Sequence, residues 1–155
     1  MITCNAVEPI VYSGHSDGSV RVYSVNQGNS PISQIKGVID YPITSISLLS
    51  NRNQVLVSSQ EGTTVHLLDF KMNKSILKYE HKDFFNTSMQ ADISPSELYV
   101  VGGNCDGYLY YWNKDKKNME KRVSGHDCQI TTLKYHFMSG NLVSCDKEGN
   151  VIIWQ

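Results

Sequence analysis

The chain has 155 residues, enough for one domain with a sizeable core. Its formal net charge is −1, so no global field draws it to nucleic acid or to acidic membranes. It opens Met1-Ile2-Thr3-Cys4, without the basic start and apolar run of a signal peptide, and no stretch approaches the ~20 apolar residues of a membrane span. These features lead us to expect a soluble, intracellular protein.

Taken in order, the chain reads as short strands and turns. Ile2 to Val7 is predicted as a strand ended by Pro9, followed by strands Ile10 to Gly14, Val20 to Val25 and Ile32 to Ile35. Ile43-Thr-Ser-Ile-Ser-Leu48 alternates with the period of a strand. Val55 to Ser59 then leads through Glu61-Gly62 to Val65 to Asp69, with Ser75 to Tyr79 as an outer strand. A longer connection, Glu80 to Thr87, carries His81, Phe84 and Phe85. Ser88 to Ile93 is an inner strand, and Val100 to Trp112 a hairpin about Asp106-Gly107. Met119 to Val123 is the next outer strand. Gly125-His126 introduces Ile130 to Phe137, and the last hairpin, Leu142 to Trp154, turns at Glu148-Gly149.

Asp-Gly or Glu-Gly between two β-rich runs is a hairpin signal, because glycine enters positive φ at little steric cost. Four such hairpins close on Tyr23, Leu68, Trp112 and Trp154, which lie 45, 44 and 42 positions apart. A repeat of about 40–45 residues built on a hairpin is the mark of a β-propeller blade. No run keeps a period of 3.6, so the expectation is an all-β array with blades at about 1–37, 43–81, 85–126 and 130–155. The last blade lacks an outer strand after Trp154. That pattern is expected of a partial propeller, whose uncovered flanks favour homo-association or a ring completed by another chain.

The frame Gly125-His126 to Trp154 resembles that of WD repeats. The resemblance implies a hydrogen-bonded chain inside a blade, made by His126, Ser144, either Asp146 or Glu148, and Trp154. It carries over Asp106 and Trp112 in the third repeat, with Gly102 in place of the hydroxyl residue, and Ser13, Asp17 and Tyr23 in the first. The second keeps Ser58 and Asp69 but has Leu68 for tryptophan. A narrower resemblance is to the C-terminal half of the propeller in the autophagy-related 16-like family. It rests on Cys4, on Ser13-Gly14-His15 with Asp17 and Arg21, on Ile43-Thr44-Ser45-Ile46, on Phe84 and Phe85, and on Ser144 with Asp146-Lys147 before Ile153-Trp154. This likeness implies a non-catalytic WD-repeat scaffold for other proteins or peptides, acting in autophagosome formation or membrane conjugation of ubiquitin-like proteins. It also implies a cytoplasmic chain, recruited to membranes by partners and not inserted in them.

Other chemistry finds little support in the residues. Ser13, His15 and Asp17 crowd one strand and its turn and are read as a hydrogen-bonded blade corner, so no catalytic residue is assigned. Gly102-Gly103-Asn104-Cys105-Asp106-Gly107 leads into a strand and lacks a lysine, so it is not a phosphate loop. The five histidines and four cysteines lack zinc spacing; no metal or cofactor is expected, and the thiols are read as mostly buried and reduced. The run Lys114, Lys116, Lys117, Lys121 and Arg122 is too narrow for nucleic acid; it is read first as a solvated outer hairpin and, as the alternative, as a contact for acidic lipid or a phosphorylated partner. Phe84 and Phe85 are the candidate partner-binding residues, as two adjacent aromatics in a connection between blades.

Overall fold

The computed structural model describes residues 1–4, 8–51, 53–60, 63–83 and 90–155. None of these residues is helical; the regular structure is fifteen β-strands in four antiparallel sheets. The first sheet holds β1 (Ile2–Cys4), β2 (Ile10–Gly14), β3 (Val20–Ser24) and β4 (Ser33–Ile35). The second holds β5 (Ile43–Leu48), β6 (Gln54–Ser59), β7 (Thr64–Asp69) and β8 (Lys74–Glu80). The third holds β9 (Ala91–Ile93), β10 (Tyr99–Gly103), β11 (Tyr108–Asn113) and β12 (Met119–Ser124). The fourth has three strands, β13 (Ile130–Tyr135), β14 (Leu142–Asp146) and β15 (Val151–Trp154). Every sheet is a meander in sequence order, the arrangement of a WD-repeat propeller.

Strand registers make the repeats comparable residue by residue. Val11 pairs with Tyr23, Val55 with Leu68, Val100 with Trp112 and Leu142 with Trp154. The four closing residues therefore occupy one position in four sheets. Three apolar layers lie between consecutive sheets. Tyr12, Val20 and Val22 meet Ile43, Ile46 and Val55; Leu56 and Leu67 meet Val100 and Trp112; Val101 and Tyr111 meet Ile130 and Leu133. Covering on both faces explains why Val55-Leu56-Val57 is continuously apolar: Val55 and Val57 point to the first sheet, Leu56 to the third. In β15 one face is uncovered, and Val151 and Ile153 are 61% and 62% exposed. Their register equivalents Val20 and Val22, and Leu109 and Tyr111, are buried.

Two expectations need correction. The thiols are not mostly buried: all four cysteines are free, Cys4 and Cys105 are exposed, and Cys128 and Cys145 are half-buried. Cys4 lies on the short strand at the open side of the first sheet, and Cys105 on a hairpin turn, where no layer covers them. The inner strand expected from Ser88 begins at Ala91, with part of the difference outside the described residues.

The second sheet also encloses a titratable group. His66 is buried, with Nδ1 3.4 Å from Ser75 Oγ. Burial, with the Lys78 charge adding to it, lowers its pKa to about 4. The unfolded chain binds a proton near the ordinary pKa of about 6.5, which the folded chain refuses until about pH 4. Stability should therefore fall as pH drops through this window, by ~2 kcal/mol once residual solvent contact is allowed for. Urea titrations from pH 7 to pH 4 should show this slope, and His66→Phe should remove its share; an unchanged slope in the variant excludes His66 as its source.

Candidate functional site

The residues singled out by sequence form four different corners, one per sheet. The fourth is the most completely bonded. His126 lies in the connection before β13, and its side chain is fully buried with that of Asp146. His126 Nδ1 stands 2.9 Å from Asp146 Oδ2, and Nε2 2.7 Å from Ser144 Oγ. Trp154 Nε1 donates to the same Ser144 Oγ at 2.8 Å. A carboxylate only accepts, so Nδ1 carries the imidazole proton and Nε2 accepts from the serine hydroxyl. The chain therefore runs from Trp154 through Ser144 and His126 to Asp146, each donor matched to one acceptor.

Asp146 also accepts from the backbone N–H groups of Glu148 and Asn150 and from Asn150 Nδ2, at 2.9–3.0 Å. Burial opposes its charge, but the hydrogen bonds from Asn150 and His126 outweigh it and hold the carboxyl well below the usual range. Of the two acids left open by the sequence, Asp146 is the one bonded to His126. Serine, histidine and aspartate in this order are the parts of a hydrolytic relay. Here Ser144 is 0% exposed and its oxygen is held by the indole, so a substrate carbonyl has no approach.

The third corner differs because Gly102 occupies the register position of Ser144. The Trp112 Nε1 donates to the Glu80 carbonyl at 3.3 Å. Asp106 is not joined to Trp112. It pairs with Arg122 at 2.7 Å and accepts from the Tyr110 hydroxyl at 3.4 Å. Burial first, and then the Asp106 charge, push the Tyr110 hydroxyl up to about 12. Arg122 stacks 3.7 Å above the Tyr108 ring. In the second sheet Val57 takes the serine position and Leu68 the tryptophan position, so neither needs a partner there. In the first sheet Asp17 closes its own turn, accepting from Ser19 and pairing with Arg21 at 2.8 Å. The Ser19 hydrogen bonds chiefly, with Arg21 helping, lower its pKa to about 2.

The basic run does not form one patch. Lys121 and Arg122 are neighbours on a strand and face opposite ways. Lys121 Nζ lies 4.4 Å from the Tyr111 ring centre, Arg122 goes to Asp106, and Lys114 sits 4.0 Å from Glu97 and from Asp115. Phe84 and Phe85 fall outside the described residues. Sequence reasoning missed a groove of about 410 Å³ at the rim between the third and fourth sheets, lined by Tyr99, Tyr111, Lys121, Tyr135 and Trp154 among others. Its signal was the placing of tyrosines at strand ends, which only register brings together. Among the described residues no group of three or more His, Cys, Asp or Glu is placed to hold a metal ion.

Four stacked meanders with hydrogen-bonded corners are the architecture of a WD-repeat propeller. The family model described as WD domain, G-beta repeat matches residues 117–155. Over most of its length the chain is similar to proteins of the Atg16 family. It is 28% identical to Autophagy-related protein 16 of Arabidopsis thaliana over 93% of this chain and 28% of that protein. It is 28% identical to Protein Atg16l2 of Homo sapiens over 73% of this chain and 19% of that protein. Similarity extends to other WD-repeat proteins, as with Periodic tryptophan protein 2 of Arabidopsis thaliana, 24% identical over 99% of this chain and 17% of that protein. The chain thus spans less than a third of the length of each of these relatives.

Proposed function

We propose that this chain is a non-catalytic interaction module acting in autophagy as the WD-repeat part of an Atg16-like protein. Its place would be autophagosome formation or the membrane conjugation of ubiquitin-like proteins. The observation carrying this reading is the alignment of 93% of the chain with Autophagy-related protein 16. The sealed position of Ser144 supports the non-catalytic part. Partners are proteins or peptides, met on the connections between sheets, with Phe84 and Phe85 as the contact; location is cytoplasmic, with partners bringing the chain to membranes. Deleting the gene should lower autophagic flux. The wild-type gene should restore it, and a Phe84→Ala, Phe85→Ala version should not, while the thermal midpoint of the purified variant stays that of wild type. Normal flux in the deletion removes the autophagy reading; rescue by the variant removes only the site.

A second reading, a structural half that completes a ring, is favoured by the uncovered faces. Val151 and Ile153 are exposed, and so is Ile2, whose register equivalents Ile46, Ala91 and Leu133 are buried. A further sheet of the same kind fits these faces, from the same polypeptide, a second copy or another chain. Light scattering of the purified chain should show concentration-dependent association; a compact monomer at high concentration counts against a second copy.

A further inference from the structure

We propose that one end of the stacked sheets is a docking surface for an anionic phospholipid bilayer. In the three four-stranded meanders the turns joining first to second and third to fourth strands share one end, where the β13–β14 turn of the fourth sheet also lies. Contacts within the third sheet and between it and the second put these turns side by side. Lys114 N donates to the Leu98 carbonyl, and Ser50 N to Glu97 Oε1. The inner strands of three sheets stand level, since Lys134 Nζ meets both Ser47 Oγ and Asp92 Oδ1 at 3.0–3.1 Å.

Exposed large apolar side chains collect at this end. Val25, Ile32, Met72, Leu98, Phe137 and Met138 all lie in its turns, the last two 75% and 84% exposed. At the opposite end the turns expose only Tyr41 among large apolar side chains of the described residues, apart from the chain start. Charge divides the same way. The apolar end carries exposed Lys71, Lys74, Lys116 and Lys117 against exposed Glu8 and Asp115. The other end carries Asp17, Asp40, Asp83, Asp106, Asp127 and Glu148 against Lys36, Lys82 and Lys147, with Asp17 and Asp106 paired to Arg21 and Arg122. Apolar tips with an excess of lysine at one end, and an excess of acid at the other, orient a molecule on a negative surface.

The tips also suit a bilayer better than a protein. They stand on separate turns with lysines between them, so they make no continuous flat patch for a rigid partner, whereas lipid headgroups move to accommodate each one. The Phe137-Met138 turn is closed internally: Gly140 N donates to the His136 carbonyl at 2.9 Å, and Ser139 N and Oγ both meet His136 Nδ1. Those turn groups keep their partners when the two side chains leave water.

This inference does not depend on the autophagy reading, which the genetic experiment tests separately. The test is flotation of the full chain with vesicles of phosphatidylcholine alone or with about 30% phosphatidylserine. Binding should require phosphatidylserine, weaken strongly in high salt, and fall by at least about tenfold in Phe137→Ser, Met138→Ser. Lys116→Glu, Lys117→Glu should act in the same direction, and Tyr41→Ser at the far end should bind like wild type. All are surface changes, and an unaltered circular dichroism melt certifies their folding. Absence of binding to the anionic vesicles overturns the proposal, as does equal binding by the tip variant. If vesicles are ignored while the tip variant abolishes self-association in light scattering, the end is a protein interface and the proposal is likewise overturned.

Discussion

Gly107→Ala should destabilise the fold by ~3–5 kcal/mol, several times more than Gly149→Ala, although both glycines close a hairpin at the same place in their repeats. Their φ values are +80° and +89°, in the left-handed region, where a Cβ costs ~1–2 kcal/mol. Both variants bear that cost. The difference lies outside the hairpin. A Cβ on Gly107 would stand 2.0 Å from the His126 carbonyl oxygen and 3.1 Å from that of Cys128, while a Cβ on Gly149 meets nothing within 4 Å. The obstacle at Gly107 is backbone, which cannot rotate away as a side chain can, and it is tied in place because His126 N donates to the Gly107 carbonyl at 3.3 Å. Urea unfolding of the two variants beside wild type reads the difference directly. Equal costs would mean that the connection before the fourth sheet does not press on the third hairpin, and the sheet stacking described above would be wrong there. Gly18 sets the same trap one repeat pair earlier, with a Cβ 1.9 Å from the Ile39 carbonyl oxygen.

This contrast shows what could be read from residues alone. Asp106-Gly107 and Glu148-Gly149 announce hairpins equally well, because the turn requirement is local and both glycines satisfy it. That one of them also receives the next sheet is a contact at distance, which no dipeptide encodes. The closing positions Tyr23, Leu68, Trp112 and Trp154 were legible because strand period and repeat length are sequence properties. The choice between Asp146 and Glu148 was not. Both are acids in one turn, and only the register Ser144 to Ile152, together with the bonds from Asn150, decides which carboxylate faces His126. The corner of the third sheet shows the converse. Asp106 and Trp112 match the repeat by type, yet Gly102 removes the hydroxyl between them and each finds another partner. Residue type at a position is thus a weaker statement than the set of neighbours it needs. The Lys114 to Arg122 run fails as a patch for a reason the sequence did contain, since alternation on β12 already separates Lys121 from Arg122.

Ser144→Ala should cost ~3 kcal/mol, out of proportion to one lost hydroxyl, because the buried His126 and the half-buried Trp154 lose a partner together. Trp154 Nε1 and His126 Nε2 both terminate on Ser144 Oγ, and a buried group left unpaired costs ~1–3 kcal/mol, the half-buried indole falling at the low end. The change creates little cavity, so lost packing does not account for the effect. Trp154→Phe on the wild-type background removes the indole donor while keeping most of the ring. In the Ser144→Ala background it removes a group that is already unpaired, so its added cost should be smaller. The two substitutions should therefore be less than additive by ~1 kcal/mol or more, as coupled sites are. Ser144→Thr keeps a hydroxyl at this position and should recover much of the loss if the extra methyl fits. Strict additivity in the double variant would show that the indole and the imidazole do not share the serine. The buried relay from Trp154 to Asp146 would then not be the element that holds the fourth sheet to the connection carrying His126.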